Sequence, residues 1–97
     1  MLLEIVSPET TLFEGQVDTV SVPGINGEFQ MLNNHAPIVS LLAEGRIKIA
    51  GTNLKFDSQF ENRFEKIDNT TYYLPIKSGT LELKDNKINI LVITSGV

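Results

Sequence analysis

The chain contains no cysteine. Neither a disulfide framework nor a thiolate zinc site can contribute, which fits a reducing compartment. Histidine occurs once, at position 35, so nucleophilic catalysis has a single imidazole base available. No serine sits in anything resembling a nucleophile elbow. The carboxylates are scattered, whereas a metal site needs several ligands converging. No basic-then-apolar leader opens the chain. No apolar run approaches the roughly 20 residues of a membrane span, so a role at a membrane requires a partner to hold the chain there. The net charge of −4 argues against nucleic acid or an anionic membrane surface as partner. Gly24-Ile25-Asn26-Gly27 is too short for a phosphate loop and lacks the lysine and following helix that such a loop uses. No catalytic residue, metal, cofactor or small-molecule substrate is expected.

What is present is a period of two. The 97 residues suit one small domain over 1–97, and a hydrophobic fraction of 41% supports a folded core. Leu3 and Ile5 share one strand face. Val20 and Val22 share another, with Val17 out of phase, which suggests a bulge near that strand's start. Arg46-Ile47-Lys48-Ile49-Ala50 and Leu54-Lys55-Phe56-Asp57 alternate on either side of a turn at 51–53. Tyr72, Leu74 and Ile76 form a further face. Pro75 cannot donate to a ladder, so this strand is expected at an edge or kinked there. Ile88, Ile90 and Val92 alternate on the last strand. Leu91 and Ile93 make its other face apolar too, which predicts a central strand buried on both sides. In residues 58–69, Phe60, Phe64 and Ile67 fit one helix face, and Ser58 with Glu61 has capping-box spacing. Phe60, Asn62 and Phe64 equally fit a strand, and the prevailing period favours strand or irregular hairpin.

The expected fold is all-β: an antiparallel sandwich or barrel of about 8–10 short strands, with almost no helix. The predicted core contains Ile5, Val20, Val22, Phe29, Leu41, Ile47, Ile49, Leu83, Ile88 and Ile90. Residues 20–42 organise the chain. They hold two turn-rich loops, Pro23-Gly24-Ile25-Asn26-Gly27 and Asn33-Asn34-His35-Ala36-Pro37. The Asn26-Gly27 pair accepts positive φ and predicts a tight reversal. Pro37 biases Ala36 toward extended backbone. Glu28 and His35 lie at or beside these turns.

Val6-Ser7-Pro8-Glu9, Leu12-Phe13-Glu14-Gly15, Val22-Pro23-Gly24, Gly27-Glu28-Phe29, His35-Ala36-Pro37 and Glu44-Gly45-Arg46-Ile47 follow one another in order. Ser78-Gly79-Thr80-Leu81-Glu82-Leu83 and Asn86-Lys87-Ile88 close the series. Together these segments resemble the epsilon subunit of F-type ATP synthases over nearly the whole chain. The most specific part is P-G-x-x-G-E followed by H-A-P seven residues after Glu28.

The resemblance implies a ten-stranded sandwich at the foot of the central stalk, packed on gamma and touching the c-ring. Such a subunit is peripheral to the cytoplasmic face of the membrane and couples proton flow to ATP synthesis without catalysing anything itself. The resemblance places Glu28, with Asn26 and Gly27, in the loop facing the ring, and His35 near the junction with gamma and the ring. Arg46 and Lys48 are candidates to face gamma. A bacterial epsilon typically continues into two helices that block hydrolysis, and some bind ATP. This chain has no such segment through Val97 and begins with Met, so a naturally short form without that inhibition is expected. Residues 51–69 exceed the usual hairpin and are expected to widen the gamma interface or stand in solvent. Two other classes compete: a free-standing sandwich binding peptide or carbohydrate, and a small hydrolase centred on His35.

Overall fold

The computed structural model describes residues 1–94. Within them the strands are β1 Leu2–Val6, β2 Thr11–Gln16, β3 Thr19–Gly24, β4 Gly27–Leu32, β5 Ile38–Leu42, β6 Gly45–Ala50, β7 Glu65–Asp68, β8 Thr71–Ile76, β9 Ser78–Lys84 and β10 Lys87–Ile93. A single 3₁₀ turn, Glu61–Arg63, precedes β7. The strands hydrogen-bond in the order β2-β1-β10-β9-β5-β3-β6-β8-β7, with β4 added to β3. β3 and β5 share only the Gly24–Leu42 position, and the sheet folds over there. The result is two layers, β2-β1-β10-β9-β5 and β4-β3-β6-β8-β7. Every pairing is antiparallel except that of β1 with β10. Those two strands come from opposite ends of the chain, so no hairpin dictates their direction.

Alternation along the strands decides what lies between the layers. Leu3 and Ile5 face Val20, Val22, Ile47 and Ile49 across the core, and Leu83, Ile88 and Ile90 complete the near layer; all are buried. Phe29 is partly buried and packs against them. Leu41 departs from expectation, being 56% exposed, while Leu42 is buried. The register explains this. Ile38 and Ser40 lie opposite the buried Leu83 and Leu81, whereas Leu41 lies opposite Thr80 on the outer face. β10 is central, as expected, but Leu91 and Ile93 are each 45% exposed, because only one face of its layer is covered.

Residues 51–64 cross the open flank between β2 and β7. Leu54, Phe56 and Phe60 pack on the core. Phe56 stacks with Phe13 of β2 at 5.1 Å, with Phe64 at 4.7 Å and with Tyr72 of β8 at 4.3 Å. This segment therefore plugs the gap where the two layers have no ladder between them, with each ring pair adding roughly 0.5–1.5 kcal/mol beyond its burial. The helical period in 58–69 is realised for one turn only. Phe64 is buried, but Ile67 is 56% exposed on the edge strand β7. Pro75 lies beyond Tyr73, where the β7 pairing stops, so β8 is a local edge there. Val17 is out of phase because it belongs to the link between β2 and β3. Its N–H donates to the Met1 carbonyl.

Candidate functional site

Three of the candidate residues sit at one hairpin. Gly24 pairs with Gly27, leaving Ile25 and Asn26 as the turn. Gly27 takes φ +124, so the left-handed burden falls on it alone. A Cβ on Gly24 would lie 2.8 Å from the Gly27 carbonyl and 2.9 Å from the Phe29 ring, so the reversal depends on glycine there too. The tip is braced on β5: Ile25 N–H donates to the Leu41 carbonyl (3.1 Å), and Ala43 N–H to the Pro23 carbonyl (2.7 Å). Glu28 follows, exposed on the outer face opposite Pro23.

His35 is not beside Glu28. It lies past the other end of β4: Glu28 stands four residues before the strand's end at Leu32, about 13 Å at the ordinary rise of a strand, and a turn follows. The His35 loop is tied instead to the tip of the β9–β10 hairpin. The Asn34 N–H donates to Asn86 Oδ1 (2.8 Å), and Asn86 Nδ2 donates to Asn33 Oδ1 (2.8 Å). The His35 N–H donates to the Leu32 carbonyl (3.1 Å). Its Nδ1 lies 2.7 Å from the Ala36 carbonyl. A carbonyl only accepts, so Nδ1 is the donor in this contact.

Arg46 is engaged within the chain. Its Nη1 lies 3.2 Å from Glu65 Oε1, and its guanidinium stands 4.2 Å over the Tyr73 ring. Lys48 shares that outer face, opposite Ser21 and Tyr73.

The outer face of the other layer carries a surface that the candidate list passed over. Val6, Leu91, Thr80 and Leu41 form one cross-strand row through β1, β10, β9 and β5. Val39 and Ile93 flank it at 76% and 45% exposure. A shallow depression of about 250 Å³ on this face is lined by Val6, Val39, Leu91, Glu4, Glu82 and Asn89, among others. Its signal in the sequence was the apolar second face of β10, which reads as burial when no partner is considered. The Phe and Tyr rings of the flank pack on one another and are not displayed at loop tips, as a sugar- or peptide-binding face would need. Among the described residues no group of three or more His, Cys, Asp or Glu could hold a metal ion, and no helix is long and apolar enough to cross a membrane.

The family model described as "ATP synthase, Delta/Epsilon chain, beta-sandwich domain" matches residues 1–62. The ATP synthase epsilon chain of Leptospira borgpetersenii is 35% identical over 89 residues, covering 92% of this chain and 58% of that protein. The ATP synthase epsilon chain of Chlorobaculum tepidum is 32% identical over 89 residues, covering 92% of this chain and 84% of that one. Among solved structures, a chain of the central stalk/c-ring of the Tetrahymena thermophila mitochondrial ATP synthase superposes with a TM-score of 0.66 at 16% identity, covering 96% of this chain and 63% of that chain; that likeness concerns the fold. The chain spans just over half the length of several epsilon chains that it matches. On the family model and these relatives together, the chain belongs to the β-sandwich family of ATP synthase delta/epsilon chains.

Proposed function

We propose that the chain is a non-catalytic rotor subunit of a proton-translocating F-type ATP synthase. In this reading it links gamma to the membrane c-ring, lies peripherally at the cytoplasmic face, and couples proton flow to ATP synthesis. The carrying observation is an exposed apolar row along β5, Val39 and Leu41, with a second along β10, Leu91 and Ile93, across the outward Ser78, Thr80 and Glu82 of β9. Exposed apolar side chains gathered on one face of so small a domain mark a docking face. Gamma is the occupant we assign to it. The row runs along β5 from the brace under Ile25 toward the His35 loop, so one elongated partner would meet Leu41, Val39 and His35 in turn. The Ile25-Asn26 tip and Glu28 are left at the opposite end for the ring.

The mechanism is mechanical. The ring turns, and torque must reach gamma without slip. A stiff two-layer body wedged between them adds contact area; stable interfaces need on the order of 1,000 Å². Glu28 can address only one ring loop at a time. An exposed ion pair contributes about 0–1 kcal/mol, so Glu28 tunes the contact and does not hold it alone. Proton pumping and ATP hydrolysis, measured together in membranes carrying Glu28→Gln and Glu28→Lys, test the ring assignment. Gln is expected to weaken coupling modestly and Lys more, because an attraction becomes a repulsion. If both variants assemble and pump like the parent at low salt, where charge effects are largest, Glu28 is a solvated turn residue and the ring contact lies elsewhere.

A further inference from the structure

We propose that Asn86, at the tip of the β9–β10 hairpin, is a positioning residue that holds the His35 loop in its partner-binding form. The inference rests on the assignment of His35 to the gamma contact made above.

Asp85 and Asn86 form the two-residue reversal between the paired Lys84 and Lys87. Their φ values are +53 and +61, the conformation of the hairpin turn that matches strand twist. Asparagine tolerates this region, so its presence could reflect backbone preference alone. Its side chain does more. Oδ1 and Nδ2 are both used, one on the Asn34 N–H and one on Asn33 Oδ1. These bonds span 52 and 53 residues of chain. The backbone of Asn86 is fixed independently, because its carbonyl accepts from the Leu2 N–H at 3.1 Å. A side chain anchored on β1 and β10 thus reaches across to the loop between β4 and β5.

The loop needs such a support. Asn34 is itself left-handed, at φ +65, and residues 33–37 are all exposed. No apolar side chain of the loop is packed beneath it. With Asn33 and Asn34 held, the His35 N–H bonded to Leu32 and Pro37 fixing the exit, the ring keeps Nδ1 on the Ala36 carbonyl. Without the clasp, the loop must be ordered at the moment of binding, and affinity falls by the fraction of time it is disordered.

Asn86→Gly isolates the side chain, because glycine adopts the positive φ without strain. Asn86→Asp is the conservative variant: it keeps the acceptor for Asn34 N–H, and the Asn33 amide can turn its NH₂ toward the carboxylate. In the Gly variant, amide order parameters at 33–36 are expected to fall from about 0.85 to below about 0.6, and the Nδ1–H signature in the ¹⁵N spectrum of His35 is expected to be lost. Affinity for purified gamma should drop roughly three- to tenfold. Asn86→Asp should retain all three. The inference is overturned if Asn86→Gly leaves loop order and the Nδ1–H form as in the parent. It is also overturned if that variant binds gamma like the parent while His35→Ala binds less tightly, and in that case the gamma assignment stands. If His35→Ala and Asn86→Gly both bind like the parent, the gamma assignment of His35 fails, and this inference with it. Should Asn86→Gly not fold, Asn33→Ala removes half of the clasp from the loop side and is read the same way.

Discussion

The two layers have equivalent inner faces and opposite outer faces. On β3, β6 and β8 the outward residues include Thr19, Ser21, Pro23, Arg46, Lys48, Thr71, Tyr73 and Pro75, and the exposed large apolar residues on this layer's strands, Leu32 and Ile67, lie on its edge strands β4 and β7. That surface is complete in itself, with Arg46 spent on Glu65 and Tyr73. On β5 and β10 the outward residues include Val39, Leu41, Leu91 and Ile93. Folding of the domain requires neither outer face to be apolar, because the core is filled from the inner faces. Under the proposed function, this asymmetry divides the outer faces between a partner and water.

The sharpest test of inner equivalence is a matched pair of truncations. Ile90→Ala in one layer and Ile47→Ala in the other should each cost roughly 2–5 kcal/mol in denaturant unfolding, since both side chains are buried and leave cavities. A large cost in one layer only would mean that the layers do not share one core. Phe64→Ala probes the flank and should cost about 3–5 kcal/mol, because its ring completes the plug with Phe13 and Phe56. Gly24→Ala should cost roughly 1–3 kcal/mol by overpacking against Phe29 and the Gly27 carbonyl, with the loss appearing in thermal unfolding. Arg46→Ala on the polar face should cost no more than about 1 kcal/mol, the value of an exposed pair.

The smallest expected effect is at the β7–β8 turn. The Thr70 amide and hydroxyl donate to Asp68 and hold its carboxyl below its ordinary range. A carboxyl lowered by folding contributes stability above its unfolded pKa and loses it as pH falls through the folded one. Asp68→Ala should therefore flatten the acid side of the stability–pH curve slightly. An unchanged curve would remove Asp68 from the account.

The strand number, the alternating core and the Pro75 edge were legible in the sequence, because each rests on period two and on local backbone limits. The placement of Leu41 was not. Leu41 read as core from its chemistry, and only the register against Thr80 turns it outward. The role of 51–64 was also hidden. Phe56 earns its burial from Phe13 and Tyr72, which are distant in sequence and brought near only when both layers form. Glu28 and His35 sit at opposite ends of β4 because that strand runs between them. The Asn33–Asn34–Asn86 clasp joins two turns with no sequence pattern connecting them.

The central claim is that the outer faces divide between partner and water, and binding to purified gamma tests it most directly. Leu41→Ser with Leu91→Ser should leave unfolding free energy within about 1 kcal/mol, because both side chains are already half exposed, and should weaken gamma binding at least tenfold. Lys48→Ser on the polar face should bind as the parent does. Parent-like gamma affinity in the Leu41 and Leu91 double variant, with its fold intact, would contradict the account.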